Sequence, residues 1–582
     1  MDRTNRNTAL ASALVEELAR CGMRHAVLSP GSRSTPLAVA LWRQPAIEVS
    51  VIVDERSGGY FALGAAQATR RPVAVLCTSG TAAANLHPAV AEADEAGVPL
   101  LVLTADRPPE LRGIGAGQTI DQLKLYGDSV RWFCEVGTHE ADDDGLLHYR
   151  SVACRAYASA RGAPRPGPVH LNLAWREPLA PVAIEGQVTA RSERALQGRG
   201  DRPLTAVPHF AAAPEPALLD ELADRVAAAP RGVIVAGRQT DPSLRDPIAA
   251  LARAAGYPIL AEPTSQLRCG PHDRARVVSA YDAIARNSPA ELSPQLVVRF
   301  GDMATSKALR QWIAGLDECR QLVVDPNFGW HEPSSRAETL LRADPAALAG
   351  GLAQRLSRRP DPEWASAWAA ADEAARGAMA DELGGADEPS EPGLQLALGK
   401  ALGDGDLVYT ASSMPIRDQE AFLPPGNADV LFLCNRGANG IDGLVSSGIG
   451  AAHASGRPTV IVTGDLGLLH DVGGLAALRD VTTPVRIVVV DNGGGGIFNF
   501  LPQQEVMERD EFEALLGTPR AVDVERAAAL FGLAYRAVDD LRELPRALGE
   551  GTGLIEVPVD RRANVELHRR LASAAESALT SA

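Results

Sequence analysis

The chain has no Cys-x-x-Cys pair. Its seven cysteines, at 21, 77, 134, 154, 269, 319 and 434, are scattered, which excludes a cysteine zinc site and a disulfide framework. No apolar run is long enough to span a bilayer and no signal-peptide pattern is present, so a cytoplasmic protein without integral membrane association is expected. Positive charge is not in excess either. Lys and Arg number 57 against 73 Asp and Glu, a formal net charge of −16, which argues against general affinity for nucleic acid or anionic membranes. Neither a short-period repeat nor a low-complexity tract occurs. No Gly-x-Gly-x-x-Gly follows the early strand-like runs, so a flavin or nicotinamide site lacks its usual phosphate-binding turn.

What is present is ample material for several cores: 582 residues, 46% of them hydrophobic, punctuated by 54 glycines and 41 prolines. Apolar positions Leu10, Leu14, Val15 and Leu18 recur at helical spacing and close at Gly22. Strand-like runs follow at 26–29, 49–53, 73–77, 100–104 and 169–173, with helical stretches between most of them. This alternation is the pattern of a parallel α/β sheet. Residues 186–212 read as a polar linker. A second α/β unit carries strands at 232–236, 258–261, 296–300 and 321–325, and residues 355–392 read as a mostly helical connector. The third carries strands at 407–409, 430–433, 459–462, 486–490 and 553–557. The expected architecture is three consecutive α/β domains, at 1–185, 213–354 and 393–582.

The stretch 463–500 is the most informative. An apolar run ends in Gly464-Asp465, a helical segment follows, and a second apolar run ends in Asp491-Asn492 and four glycines. Both polar clusters then fall at carboxyl ends of parallel strands, the edge where open α/β sheets bind ligands. A hard divalent cation takes oxygen ligands together with phosphate and water. Asp465 offers a carboxylate and Asn492 an amide oxygen, while the glycine run lets backbone lie against a bulky anion.

Here the sequence resembles the diphosphate-binding motif of thiamine-diphosphate enzymes. The resemblance implies thiamine diphosphate as cofactor and Mg²⁺ (or Mn²⁺) held by Asp465, Asn492 and the carbonyl of Gly494, with Leu466 beside the cofactor at a position more often glycine. It also implies three parallel-sheet domains of the thiamine-enzyme type: pyrimidine-binding, central and diphosphate-binding. Asp54-Glu55-Arg56-Ser57-Gly58-Gly59 matches the segment whose glutamate protonates the pyrimidine ring nitrogen, so Glu55 takes that catalytic role. Asn435 to Gly443 matches the segment that supports the cofactor's bend. It places Gly440, Ile441 and Asp442 at the cofactor, Ile441 as the apolar wedge.

Further blocks are more specific: Leu28 to Leu37, Thr78 to Asn85, Leu103 to Leu111 with Gln118 following, and Asn435 to Gly443. Together they resemble the 2-succinyl-5-enolpyruvyl-6-hydroxy-3-cyclohexene-1-carboxylate (SEPHCHC) synthases of menaquinone biosynthesis, over nearly the whole chain. That family decarboxylates 2-oxoglutarate and adds the succinyl carbanion equivalent to isochorismate. Both substrates are dicarboxylates, and arginine engages carboxylate bidentately. The resemblance puts Ser412, Ser413, Arg417 and Arg436 near the part derived from 2-oxoglutarate. It puts Ser32, Arg33, Arg107, Gln118 and Lys307 towards isochorismate, Gln118 among the catalytic residues, and makes Phe498 and Leu501 an apolar wall. Ala308 stands where some relatives carry a second basic residue, and Ser412 where an asparagine can occur. Glu55 and Asp465 lie on different domains, and in the family such a site is shared between subunits, so a homodimer or homotetramer is expected. The rivals are another carboligase, such as an acetolactate synthase, and a non-catalytic relative that keeps the fold.

Overall fold

The computed structural model describes residues 1–162, 165–208, 212–356, 361–384 and 388–581, and its eighteen strands form three six-stranded parallel sheets. Sheet one contains β1 (His25–Leu28), β2 (Glu48–Val51), β3 (Val73–Cys77), β4 (Leu100–Asp106), β5 (Trp132–Glu135) and β6 (Val169–Ala174), in the order β2-β1-β3-β4-β6-β5. Sheet two contains β7 (Gly232–Ala236), β8 (Ile259–Ala261), β9 (Val277–Val278), β10 (Leu296–Phe300), β11 (Arg320–Val324) and β12 (Thr339–Leu341), ordered β12-β11-β10-β7-β8-β9. Sheet three contains β13 (Leu407–Thr410), β14 (Leu431–Cys434), β15 (Thr459–Gly464), β16 (Val485–Asp491), β17 (Ala534–Ala537) and β18 (Gly553–Pro558), ordered β14-β13-β15-β16-β18-β17.

Every residue of β3, β4, β6, β7 and β10 is buried. Strands covered on both faces read as largely apolar runs, which made these visible in the sequence although β6 carries buried His170 and Asn172 and β10 buried Arg299. Four strands were missed there: β5, β9, β12 and β17. Each is an edge strand, and β5 and β17 contain no fully buried residue. The Arg6–Cys21 helix forms as its spacing predicts, with Asn5 and Thr8 in a reciprocal capping box and Gly22 at φ 113° closing it.

In each sheet the order in which successive strands are added reverses between two neighbouring parallel strands, β1 and β3, β7 and β10, and β13 and β15. A crevice at the carboxyl ends of such a pair is the usual ligand site of an open sheet.

The chain divides into two compact units. Unit one comprises Met1–His209, Asn435–Gly456 and His470–Thr483, and unit two Phe210–Cys434, Arg457–Leu469 and Pro484–Ala582. Inside unit one the Glu55–Thr69 helix lies against the Leu444–Ser455 helix at glycine distance. A Cβ on Gly64 would sit 1.8 Å from the carbonyl oxygen of Ser447, and one on Gly450 2.0 Å from that of Phe61. Buried Asp471 bridges the two helices, accepting from the Ser446 amide (2.6 Å) and hydroxyl (2.9 Å) and from the Ser57 hydroxyl (3.3 Å).

Inside unit two, sheets two and three are joined through buried Arg268. Its guanidinium donates to the carbonyls of Ala261 (2.8 Å), Glu420 (2.6 Å) and Leu423 (3.0 Å). The connector is the helix Pro362–Gly384. Trp364 and Trp368 pack into the core of the central sheet, and Met379 packs against Leu567 and Leu571 of the C-terminal helix. Residues 357–360 and 385–387 of that connector, and 209–211 of the linker, lie outside the described residues. Within the linker, Glu193–Gln197 is a short helix.

Candidate active site

The first crevice, in unit one, holds four of the five residues expected towards isochorismate. Ser32 and Arg33 follow β1, and Arg107 follows β4. Arg107 donates to the Ser79 hydroxyl and to the carbonyl of Gly117 (2.9 Å). Gln118, in the left-handed region at φ 57°, clamps Ser79 from the other side. Its side-chain amide donates to the Ser79 carbonyl (3.1 Å), and its own carbonyl accepts from the Ser79 hydroxyl (3.0 Å). Arg33 donates to the Trp175 carbonyl (2.8 Å) and lies 3.3 Å from Glu177. Burial, and then the positive charge of Arg107, lower its pKa. Two guanidiniums that repel each other favour an anion between them. Ser32 and Gln118 are exposed, and so is Lys307, which opens the Lys307–Ala314 helix in unit two.

Glu55 also belongs to unit one. It is the first residue of its helix, half-buried, behind Asp54, whose side chain caps the Arg56 (2.8 Å) and Ser57 (3.4 Å) amides. The 435–443 loop is the other potential cofactor element of this unit. Glu92, only 2% exposed, accepts from the backbone amides of Gly437 (2.7 Å), Ala438 (2.7 Å) and Asn439 (3.3 Å). Ile441 is 41% exposed, so it is not a core residue and is free to meet a ligand. Asp442 faces His470 at 3.9 Å, and Arg436 and Gly440 are half-buried.

The third crevice, in unit two, holds the expected metal ligands. Strands β15 and β16 pair in parallel from Thr459 with Val485 to Gly464 with Val490, so Asp465 and Asn492 emerge at one edge. Asp465 is 1% exposed, and its carboxylate accepts from the amides of Leu466 and Gly494. Burial, reinforced by nearby Asp491, pushes its pKa up to about 6. Gly494 has φ 135°, and a Cβ there would lie 2.2 Å from the Gly517 carbonyl oxygen, so no other residue fits. Across the switch point, Ser412 and Ser413 follow β13. Ser412 is buried, while Ser413 takes φ 74° and accepts from the Arg417 guanidinium. Arg417 is exposed, Phe498 half-buried and Leu501 37% exposed.

The middle crevice is closed. A Cβ on Gly237 would lie 1.8 Å from the Asp302 carbonyl oxygen, and Arg238 and His331 (2.6 Å) both pair with the Asp302 carboxylate. Burial acts to raise that carboxyl, but Arg238 and His331 outweigh it and hold it down at about 2. Ala308 is 8% exposed and packs in the core cluster with Val235 and Trp312, which explains an apolar residue there.

Three family descriptions cover most of the chain in order. "Thiamine pyrophosphate enzyme, N-terminal TPP binding domain" matches residues 8–125, "Middle domain of thiamine pyrophosphate" 212–407, and "Thiamine pyrophosphate enzyme, C-terminal TPP binding domain" 433–557. Among curated proteins, the 2-succinyl-5-enolpyruvyl-6-hydroxy-3-cyclohexene-1-carboxylate synthase of Myxococcus xanthus (strain DK1622) is 44% identical over 577 residues, 97% of each chain. Synthases of the same name from Geobacillus kaustophilus (strain HTA426) and Haloarcula marismortui (strain ATCC 43049 / DSM 3752 / JCM 8966 / VKM B-1809) are each 41% identical. Their matches cover 574 and 579 residues, 96% of both chains in each case. The chain belongs to the SEPHCHC synthase family. It is built from thiamine-enzyme domains, and each of its three α/β sheets corresponds to one of them.

The donor set of the third crevice suits a hard cation. Asp465 Oδ2 and Asn492 Oδ1 are both buried with no hydrogen-bond partner, and two orphaned oxygens beside a glycine bend are what Mg²⁺ coordination would satisfy. Sequence reasoning missed what aims the amide. Asn492 Nδ2 donates to Glu391 Oε1 (2.8 Å), leaving Oδ1 to face the other way. Glu391 Oε2 and Asp418 Oδ2 are themselves buried without a donor, and one proton shared between the two carboxyls satisfies both. Burial, then the charge of Asp418, raises Glu391, and burial pushes Asp418 up to about 7. His568 closes the chain, its Nε2 2.9 Å from Asp418 Oδ1. Glu92 was missed as well. Both glutamates sit in helices whose local sequence reads as ordinary amphipathic structure.

Proposed function

We propose that this protein catalyses the thiamine-diphosphate-dependent decarboxylation of 2-oxoglutarate and the conjugate addition of the resulting succinyl unit to isochorismate, giving SEPHCHC and CO₂ in menaquinone biosynthesis. The observation that carries the reading is near full-length likeness to proteins of that name, joined to arginines at the carboxyl edges of sheets one and three.

When bound, thiamine diphosphate supplies the electron sink for decarboxylation. The protein's residues do the rest. Glu55 holds a proton at the pyrimidine ring nitrogen. Asp465, Asn492 and the Gly494 carbonyl would hold Mg²⁺ (or Mn²⁺), and Leu466 would lie beside the cofactor. Gly440, Ile441 and Asp442 would support the cofactor. Arg417, Arg436, Ser412 and Ser413 bind 2-oxoglutarate. Ser32, Arg33, Arg107, Gln118 and Lys307 bind and orient isochorismate, with Gln118 acting in the addition step, and Phe498 and Leu501 exclude water from one wall. Glu55 belongs to unit one and Asp465 to unit two, and we take each site to be shared between subunits of a cytoplasmic homodimer or homotetramer.

The test is loss of isochorismate absorbance in the presence of thiamine diphosphate, Mg²⁺ and 2-oxoglutarate. Loss that needs all four components, and that pyruvate does not support in place of 2-oxoglutarate, is expected. Turnover with pyruvate would move the assignment to an acetolactate-type carboligase, and absence of any cofactor-dependent CO₂ release would make the chain a non-catalytic relative.

A further inference from the structure

At the amino ends of β1 and β2, away from the ligand edge of sheet one, three metal-capable side chains from distant parts of the sequence meet inside unit one. His25 and Glu48 are the first residues of neighbouring strands and sit in register, so their side chains leave the sheet on one face. His453 reaches them from the last turn of the Leu444–Ser455 helix. His25 Nδ1 is 3.6 Å from Glu48 Oε2, and His453 Nε2 is 3.3 Å from Glu48 Oε1. All three ligand atoms fall within 4.8 Å of one another.

The two nitrogen–oxygen spacings, each to a different oxygen of Glu48, approach those of a coordination polyhedron. Ligands at ~2.0–2.1 Å from a tetrahedral Zn²⁺ stand about 3.3 Å apart, so the nitrogen–oxygen separations require only a small closure around an ion. Both rings are held in place for it. The two imidazoles meet edge to face at 6.2 Å, and Phe61 packs on His453 at 5.5 Å. His25 Nδ1 is buried and makes no hydrogen bond, an arrangement a metal bond would complete. The His453 and His25 side chains are 14% and 19% exposed, and Glu48 is 58% exposed, which leaves a solvent side for a water ligand. Ser50 Oγ lies 3.2 Å from His453 Nε2 and is the group an ion would displace. Arg71 contributes positive charge near His25. Against it stand the Glu48 carboxylate and the negative end of the helix that carries His453.

We propose that His25, Glu48 and His453 form a binding site for a divalent transition metal of the Zn²⁺ class, distinct from the oxygen-only site at Asp465 and Asn492. Two imidazoles and one carboxylate suit Zn²⁺ and are poor ligands for Mg²⁺, so the two sites select different ions. A metal here fastens the Leu444–Ser455 helix to strands β1 and β2, immediately before the segment that presents Glu55.

The experiment is equilibrium dialysis of the protein, kept in saturating Mg²⁺ and thiamine diphosphate, against Zn²⁺, with bound zinc counted by elemental analysis. One Zn²⁺ per chain is expected. Glu48→Gln and His453→Ala should each weaken binding by at least about tenfold, and Asp465→Ala should leave it unchanged. Co²⁺ in place of Zn²⁺ should give the intense visible absorption of a tetrahedral site, lost in Glu48→Gln. Substoichiometric zinc in the unmodified protein, equal affinity in Glu48→Gln, or loss with Asp465→Ala would each overturn the assignment. If His453→Ala fails to fold, the more exposed Glu48 carries the test alone.

Discussion

Asp465 sets a pH window that follows from its burial. Its carboxyl is raised from 3.8 to about 6, so in the metal-free protein the folded state binds more protons than the unfolded one between those values. Stability from this group is therefore present at low pH and is lost as pH rises through about 6. A cation reverses the preference by stabilising the carboxylate. Apparent Mg²⁺ affinity should be flat above about pH 6 and fall by about tenfold per pH unit below it, which calorimetric titration from pH 5 to 7.5 measures directly. Constant affinity across that range would show that Asp465 does not ligate the ion. Glu391 gives a second expectation, since it is the acceptor that orients Asn492. Glu391→Ala should weaken Mn²⁺ binding, followed by electron paramagnetic resonance, by about tenfold to a hundredfold. Glu391→Gln should restore most of it, because an amide can accept from Asn492 and donate to Asp418. Equal loss in both variants would mean that the carboxyl serves the fold generally. The strand-end placement of Asp465 and Asn492 was legible in the sequence because a Gly-Asp and an Asp-Asn-Gly close apolar runs. Glu391 was not, because its role depends on a partner 101 residues away, and no local pattern encodes that.

At the scale of elements, all the central strands declared themselves, but of the six edge strands only β2 and β14 did. β7 and β10 were read to the residue, whereas β5, β9, β12 and β17 are edge strands of only two to four residues. Strand ends were legible where the apolar runs stop, and with them the loops that hold Ser32, Arg107, Ser413 and Asp465. Invisible in the sequence was how one element fixes another. The 435–443 loop depends on Glu92, in the His87–Ala96 helix, which collects three backbone amides. Glu92→Ala leaves those donors without an anion, at about 1–3 kcal/mol for each one that water does not reach. Thiamine diphosphate affinity, read by fluorescence titration, should fall by about tenfold or more, while the Asp465 crevice keeps its Mg²⁺ affinity. Undiminished cofactor binding would show that the loop holds its shape without Glu92. The Gly64 and Gly450 contacts are equally silent in sequence, since a helical glycine reads as a weak helix former until the facing backbone is seen.

For the whole molecule, the decisive question is which copies of the chain complete one site. Glu55 and Asp465 lie in different units, and the proposed shared site assigns the Glu55 of one subunit to the Asp465 of another. Co-expressing a Glu55→Gln chain with an Asp465→Ala chain, each under its own tag, separates the arrangements. If the two residues act within one chain, both chains are disabled and every dimer is inactive. If they act across the interface, a mixed dimer has one site with both changes and one with neither. Random pairing makes half the dimers mixed and each has half its sites intact, so about one quarter of the unmodified activity returns. Tandem-tag purification of the mixed species should raise the recovered activity to about one half. Each variant purified alone should be inactive, which excludes residual turnover as the source. Recovery at these fractions ties activity to the dimer, and its absence from a purified mixed dimer would place both residues in one subunit.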